Sequence, residues 1–314
     1  MWPKAKSTRF QGKHVLVTGG SKGIGYSLAK EALARGANVS ILARNKEDLA
    51  KAALELEALG LGKVASAAAD TTNADQLKAA IAAVEEALGP VDVLICNAGM
   101  CIPGLFTEAP VADYSRTMEV NYLGTVRTIK LVLPDMLARQ QGHIVIVSSA
   151  LAVCGFSGYT SYAPSKWALR GLADCLRNEV GPLLVATGVR VSIGYPPDTD
   201  TEGYQRENET KPRSCVAANA VLGSDLFPSE RVARALWRGI ARGAFHLPSP
   251  DPGQALLLDS MAGLSPGVLW APLGALLAPV VRLVLAVLRV NMDRAVAKVR
   301  RTQEPLLTER VRRD

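Results

Sequence analysis

The chain has 314 residues, 48% of them hydrophobic, and its 36 Lys+Arg against 29 Asp+Glu give a formal net charge of +7. A mean hydropathy of +0.14 excludes a disordered chain, and five cysteines without a CxxC pair exclude a disulfide-stapled mini-domain. Three dispersed histidines lack ligand spacing, so no metal is expected; 5% aromatics without interleaved basic residues argue against a nucleic-acid partner.

In chain order, β-branched apolar runs alternate with stretches of helical periodicity. Strands are predicted at His14–Thr18, Asn38–Ala43, Lys63–Ala69, Val91–Cys96, His143–Ser148 and Val189–Tyr195. Helices are predicted between them, at about Lys22–Arg35, Lys46–Leu59, Ala74–Leu88, Asp113–Arg139 and Tyr162–Val180. Leu77, Ile81, Val84 and Leu88 share one helical face. Continuous apolar strands separated by helices predict an α/β, Rossmann-like doubly wound parallel sheet with helices on both faces. Farther on, Pro196–Arg213 is polar and turn-rich, Ser229–Arg242 reads as a helix, and the three prolines of His246–Pro252 read as a linker. No apolar run precedes the first strand, so the catalytic part is expected on the cytosolic side.

The loop Thr18-Gly19-Gly20-Ser21-Lys22-Gly23-Ile24-Gly25 joins the first strand to the first helix. Glycines permit close backbone approach there, and the helix N-terminus offers free N–H groups to a pyrophosphate. Gly19, Ser21, Lys22, Gly23, Ile24 and Gly25 are therefore candidate cofactor contacts. After the second strand stand Arg44 and Asn45, with no acidic residue to hold a ribose 2′-hydroxyl. Arg44 and Lys22 offer two cations for a 2′-phosphate, which predicts NADP/NADPH; ordinary solvated surface charge is the bland alternative.

Tyr162 and Lys166, at i and i+4, project from one helix face, Ser149 ends the fifth strand, and Asn121 lies in a preceding helix. A phenol is a poor acid–base group at neutral pH, and a neighbouring ammonium is expected to lower its pKa. Taken in order, TGGSKGIG, Asn97-Ala98-Gly99, Asn121, Ser149 and Tyr162-xxx-Lys166 resemble the short-chain dehydrogenase/reductase family from about Gly12 to Thr201. The resemblance implies that Tyr162 donates the proton, Ser149 orients the carbonyl, and Lys166 tunes the tyrosine and binds the nicotinamide ribose. It further implies that Asn121 supports a water-linked relay, Asp70 meets adenine with Thr71 beside it, and Asn97, Ala98 and Gly99 line the cofactor cleft. Ser148 is a rival for the serine role, but the thirteen-residue interval to Tyr162 is the family's spacing from Ser149. Thr201 stands where the family's threonine meets the carboxamide, with Pro196 and Thr199 beside it. Pro196-Pro197 departs from the family's usual Pro-Gly and stiffens this stretch.

The segments Tyr195-Pro-Pro-Asp-Thr-Asp-Thr201, Glu209-Thr-Lys-Pro212 and Leu222-Gly-Ser-Asp225 resemble the branch of that family that reduces long-chain sphingoid ketones. The implied activity is NADPH-dependent reduction of 3-ketosphinganine to sphinganine; a hydroxysteroid or retinoid reductase, or an NADP-binding scaffold, are the alternatives. Asp198 or Asp200 could meet the substrate amine or merely cap turns. Met261–Val281 holds 21 residues without a charge, interrupted by Pro266, Pro272 and Pro279, and basic residues follow from Arg282. A kinked, re-entrant or hairpin membrane element is expected, with a substrate lid or dimer interface as the alternative. The expected division is a catalytic domain over 10–248, a hydrophobic membrane-associated segment over 249–290 and a basic tail over 291–314. The expected setting is the endoplasmic reticulum membrane, with the bilayer and a sphingoid ketone as partners; self-association is left open.

Overall fold

The computed structural model describes residues 10–180, 187–222, 225–247, 249–260 and 271–302. Seven parallel strands form the main sheet: β1 (His14–Thr18), β2 (Asn38–Ala43), β3 (Val64–Ala68), β4 (Val93–Cys96), β5 (Gly142–Val147), β6 (Val189–Gly194) and, at the far edge, β9 (His246–Leu247). Their spatial order is β3-β2-β1-β4-β5-β6-β9. Two-residue strands β7 (Thr199–Asp200) and β8 (Phe227–Pro228) pair with each other apart from it.

Alternation along each strand divides the core into two layers. Val15, Val17, Val39 and Ile41 face α1 (Gly23–Leu33), α2 (Lys46–Glu57) and α9 (Ser229–Arg242). Leu16, Leu42, Leu94 and Ile144 face α3 (Ala74–Leu88), α5 (Gly124–Ala138) and α6 (Ala163–Val180). Helix starts carry their own caps: Asn45 accepts from the Asp48 amide at 3.0 Å, and Asn73 accepts from Gln76 at 3.0 Å.

The expected helix Asp113–Arg139 is three pieces: α4 (Val111–Thr117), a π-helical turn (Met118–Leu123) and α5. Such wide turns occur mostly as local bulges at functional sites, and this one carries Asn121. The linker expected at His246–Pro252 begins as strand: Ile193 pairs with His246 and Gly194 with Leu247. Burial of Phe245, His246 and Leu247 against the sheet outweighs the prolines that follow.

Beyond β7 come α7 (Glu202–Thr210) and α8 (Arg213–Leu222), and after β9 come α10 (Pro252–Ser260) and α11 (Ala271–Thr302). Residues 261–270 of the expected membrane segment, residues 303–314 of the basic tail, and Gly223 and Ser224 lie outside the described residues. Residues 271–302 form one helix, α11, which packs on α8 and α10 and carries Pro279 within it. Among the described residues no helix is long and apolar enough to cross a membrane.

All three histidines are buried between neighbouring elements of the sheet. His14 Nε2 meets Ser40 Oγ at 2.7 Å, His143 Nε2 meets Ser192 Oγ at 2.7 Å, and His246 Nδ1 meets the Tyr195 hydroxyl at 3.1 Å. Burial, aided by Arg190, pushes His143 down to about 3; burial, aided by Arg170, pushes His246 down to about 4. The unfolded chain, with histidine near 6.5, therefore binds more protons than the folded chain in mild acid, and stability rises with pH there. We expect urea unfolding to show stability falling as pH drops below about 6.5, by roughly 2 kcal/mol for each of His143 and His246 at pH 5. His143→Gln, which does not titrate, should flatten that slope; an unaltered slope counts against the histidines as its source.

Candidate active site

The order of strands reverses direction between β1 and β4, and a crevice opens at their C-terminal ends. Asn97, just past β4, ties its two sides together. Its amide donates to Thr18 Oγ1 at 3.1 Å, and its side-chain nitrogen donates to the Thr18 and Gly19 carbonyls at 3.2 and 3.1 Å. Gly19 has φ +65°, and a Cβ there would lie 2.9 Å from Ala98 Cα. A Cβ on Gly25 would lie 2.1 Å from the Gly19 carbonyl oxygen. Only glycine allows the loop to close this tightly onto the N-terminus of α1, leaving the space a dinucleotide pyrophosphate needs.

At the end of β2, Arg44 is exposed, with its guanidinium 3.9 Å from Asp70. Asp70 accepts from the Thr72 amide and hydroxyl at 2.9 and 2.8 Å, and Thr71 is buried against Gly124. Lys22 is less free than its sequence position implies: its ammonium lies 2.9 Å from both Asp48 and Glu202. Those hydrogen bonds raise its pKa, and the pair of carboxylates leaves Arg44 as the less committed cation.

A cavity of ≈ 1180 Å³ runs from this crevice past Ser149, Tyr162 and Lys166 toward α7 and α11. Ile24, Asn97, Gly99, Pro196, Asp198, Thr199 and Thr201 also line it. Ser149 accepts from the Leu151 amide at 3.2 Å, and its hydroxyl lines the cavity with the Tyr162 phenol. Ser148, buried at the cavity lining, donates its hydroxyl to the Lys166 carbonyl at 2.9 Å and so anchors α6. Lys166 Nζ donates to the Val147 carbonyl at 3.3 Å and stands 5.6 Å from the Tyr162 ring centroid. Asn121 lies behind this wall, fully buried: Oδ1 accepts from the Met100 amide at 2.8 Å, and Nδ2 donates to the Met100 carbonyl and Ser165 Oγ, both at 2.9 Å. It clamps the loop that follows Gly99.

Thr199 donates to the Pro197 carbonyl at 2.7 Å, and Thr201 caps α7 by accepting from Tyr204 at 3.1 Å. Asp198 lines the cavity and accepts from the Tyr204 hydroxyl at 3.2 Å. Asp200 is exposed and engages Gln205 at 3.4 Å, outside the cavity lining. Side chains that no motif marked complete the far wall: Cys101, Tyr159, Tyr204 and Glu207, with the apolar face of α11 opposite. The Glu207–Lys211 spacing of four was visible as a helical ion pair, but nothing local announced that Tyr159 would join it.

Burial sets the ionisation of Tyr162 and Lys166 differently from the expectation. Burial drives the Tyr162 phenol well above its ordinary value, and the Ser149 hydroxyl only partly draws it back. Burial also lowers Lys166, to about 8. The ammonium does not hold the resting phenol low, because it is desolvated by the same apolar walls. A protonated Tyr162 is the form that donates a proton to a ketone. The Lys166 charge matters when negative charge develops on the phenol oxygen.

The chain matches the short chain dehydrogenase family model over residues 13–212. It belongs to that family. A 3-dehydrosphinganine reductase of Danio rerio is 37% identical over 265 residues, covering 83% of this chain and 78% of the relative. A 3-ketodihydrosphingosine reductase of Dictyostelium discoideum is 36% identical over 315 residues, covering 94% and 91%. The crystal structure of a short chain dehydrogenase/reductase from Burkholderia phymatum in complex with NAD superposes with a TM-score of 0.68 at 25% identity, covering 76% of this chain and 89% of that one. This short chain dehydrogenase is an oxidoreductase with a nicotinamide-cofactor fold.

If Lys166 must be charged to stabilise the departing proton's site, ketone reduction by this short chain dehydrogenase should hold below about pH 8 and decline above it. Lys166→Arg keeps the charge and should move that decline upward in a kcat–pH profile, at reduced overall rate. A limb that stays at the same pH in the variant assigns it to another group.

Proposed function

We propose that the chain catalyses NADPH-dependent reduction of 3-ketosphinganine to sphinganine in sphingolipid biosynthesis. The observation that carries this reading is the cavity itself. One end presents the Ser149 and Tyr162 hydroxyls, and the rest runs along Leu277, Val281, Leu285, Leu288 and Met292 of α11, an apolar wall suited to a long alkyl chain. The names of the relatives from Danio rerio and Dictyostelium discoideum support the same substrate.

Bound nicotinamide supplies the hydride. The chain's own residues do the rest: Ser149 hydrogen-bonds the ketone oxygen and polarises it, and Tyr162 delivers a proton to that oxygen. Lys166 offsets the charge then left on the phenol, and Asn121 keeps the Met100 loop in place beside them. Arg44, exposed at the end of β2 and only loosely paired with Asp70 at 3.9 Å, favours a 2′-phosphate and hence NADPH over NADH.

The same reading puts the chain on the endoplasmic reticulum membrane, with its catalytic domain toward the cytosol. A long-chain ketone partitions into bilayer at about 0.8 kcal/mol per buried CH₂, so an enzyme gains by meeting it there. The outer face of α11 supports this. Leu276 is 73% exposed and Leu283 68%, and the exposed Arg282, Arg289, Arg294 and Lys298 accompany them. An apolar stripe flanked by cations suits a helix lying in the headgroup layer of an anionic leaflet. The chain should float with anionic vesicles, and Leu276→Lys with Leu283→Lys should leave it in the dense fraction. Undiminished flotation of the double variant would remove α11 from the contact.

Purified protein should oxidise NADPH with 3-ketosphinganine, and turnover with NADH should be at least tenfold less efficient. Tyr162→Phe should lose about two or more orders of magnitude in kcat, and Arg44→Ser should narrow the NADPH preference without touching NADH turnover. Brisk turnover of a steroid ketone, with none of the sphingoid, overturns the substrate assignment.

A further inference from the structure

Beyond Tyr162 the cavity wall is polar, and its residues come from α7 and the loops around it. The Tyr159 hydroxyl donates to Glu207, and Lys211 reaches the same carboxylate at 3.2 Å. The Lys211 ammonium sits 4.7 Å from the Tyr204 ring centroid and 5.7 Å from that of Tyr159. It opens onto a separate cleft of ≈ 500 Å³ beside Pro103 and Pro212, not onto the cavity. Glu207 and Asp198 do line the cavity.

The cavity lining carries Asp225, Asp251 and Asp293 as well, with Lys166, Arg231 and Arg289 as its basic residues. At the wall beyond Tyr162 the carboxylates are those of Asp198 and Glu207, and Lys211 stands behind Glu207. Lys166, the other buried cation here, serves Tyr162 and the Val147 carbonyl. A carboxylate that lines a cavity while its ion-pair partner stands behind it can still accept a ligand's cation from the cavity side.

The geometry also fixes where such a cation would be. The Tyr159 and Tyr162 ring centroids are 6.2 Å apart, and Cys101 packs in the same cluster beside them. Glu207 is thus one side chain away from the reacting phenol. Of the two carboxylates it exerts the larger electrostatic effect on Tyr162. An ammonium on the carbon next to a ketone held at Tyr162 falls in this neighbourhood.

We propose that Glu207, braced by Tyr159 and Lys211, is a specificity-determining residue that accepts the substrate's ammonium and so selects α-amino ketones over ketones of equal length without the amine. The assignment rests on the α-amino ketone reading given above. Lys211 is a positioning residue, locked between two rings so that the carboxylate keeps its direction. Asp198, committed to the Tyr204 hydroxyl and holding the Phe227 amide through its carbonyl, shapes the loop.

The test compares 3-ketosphinganine with 1-hydroxyoctadecan-3-one, which lacks the amine, using full-length protein and NADPH. The unaltered chain should prefer the amino ketone. Glu207→Gln should raise KM for the amino ketone about tenfold or more, leave kcat within a few-fold, and leave KM for the amine-free ketone unchanged. Glu207→Asp, which keeps the charge, should recover part of the preference; NADPH binding and thermal unfolding establish that each variant is folded. A preference that survives Glu207→Gln, a loss equal for both ketones, or a preference abolished by Asp198→Asn alone overturns the assignment of Glu207. Failure of the unaltered chain to reduce the amino ketone while reducing the amine-free one overturns the substrate reading instead.

Discussion

The contact on which the site depends is the one Asn97 makes with the carbonyls of Thr18 and Gly19. A parallel sheet whose strand order reverses has a split at its C-terminal edge, because the loops after β1 and β4 depart to opposite faces. Left alone, those loops would present unsatisfied carbonyls to one another. The Asn97 side chain satisfies two of them, and Gly19 and Gly25 have no Cβ to keep the backbones apart. The crevice is therefore narrow and rigid where the pyrophosphate must sit. Everything downstream, from the Gly99 turn to the Asn121 clamp on Met100, is positioned from that edge.

Desolvation sets the chemistry built on this frame. The walls that raise Tyr162 and lower Lys166 act on each group through the same physical cause, the loss of water around a charge. The outcome favours reduction: the phenol keeps its proton until the ketone oxygen takes it. A wetter site would bring the two values back toward their ordinary positions and weaken the contrast between resting and reacting states.

Those parts of the fold and site that rest on local pattern were legible in the sequence. The apolar runs of β1 and β4, the glycine loop and the four-residue spacing of Tyr162 and Lys166 are each contained within a few residues. What was not legible depends on partners far along the chain. Two residues are too few for periodicity to mark β9, and it is strand only because His246 and Leu247 find β6. The π turn at Asn121 interrupts a stretch whose composition is helical throughout. Glu207 acquires its meaning from Tyr159, 48 residues earlier. The uncharged run near the C-terminus was read as membrane-seeking from composition alone, whereas α11 turns one side of that apolar surface inward onto the cavity.

This double use of α11 ties the cavity's two ends together. A helix apolar on more than one side must bury one face against protein and offer the other to something equally apolar. Leu277, Val281, Leu285 and Leu288 take the first role; Leu276, Leu283, Val287 and Val290 are left for the second. A long-chain ketone leaving a bilayer under this helix would exchange one apolar environment for another, so transfer of its alkyl chain contributes little discrimination. Selectivity must then come from the head of the molecule, where a methylene more or less matters less than a polar group left unpaired. That places the burden of recognition on the few polar side chains beyond Tyr162. Asp198 and Glu207 stand on that stretch of the wall.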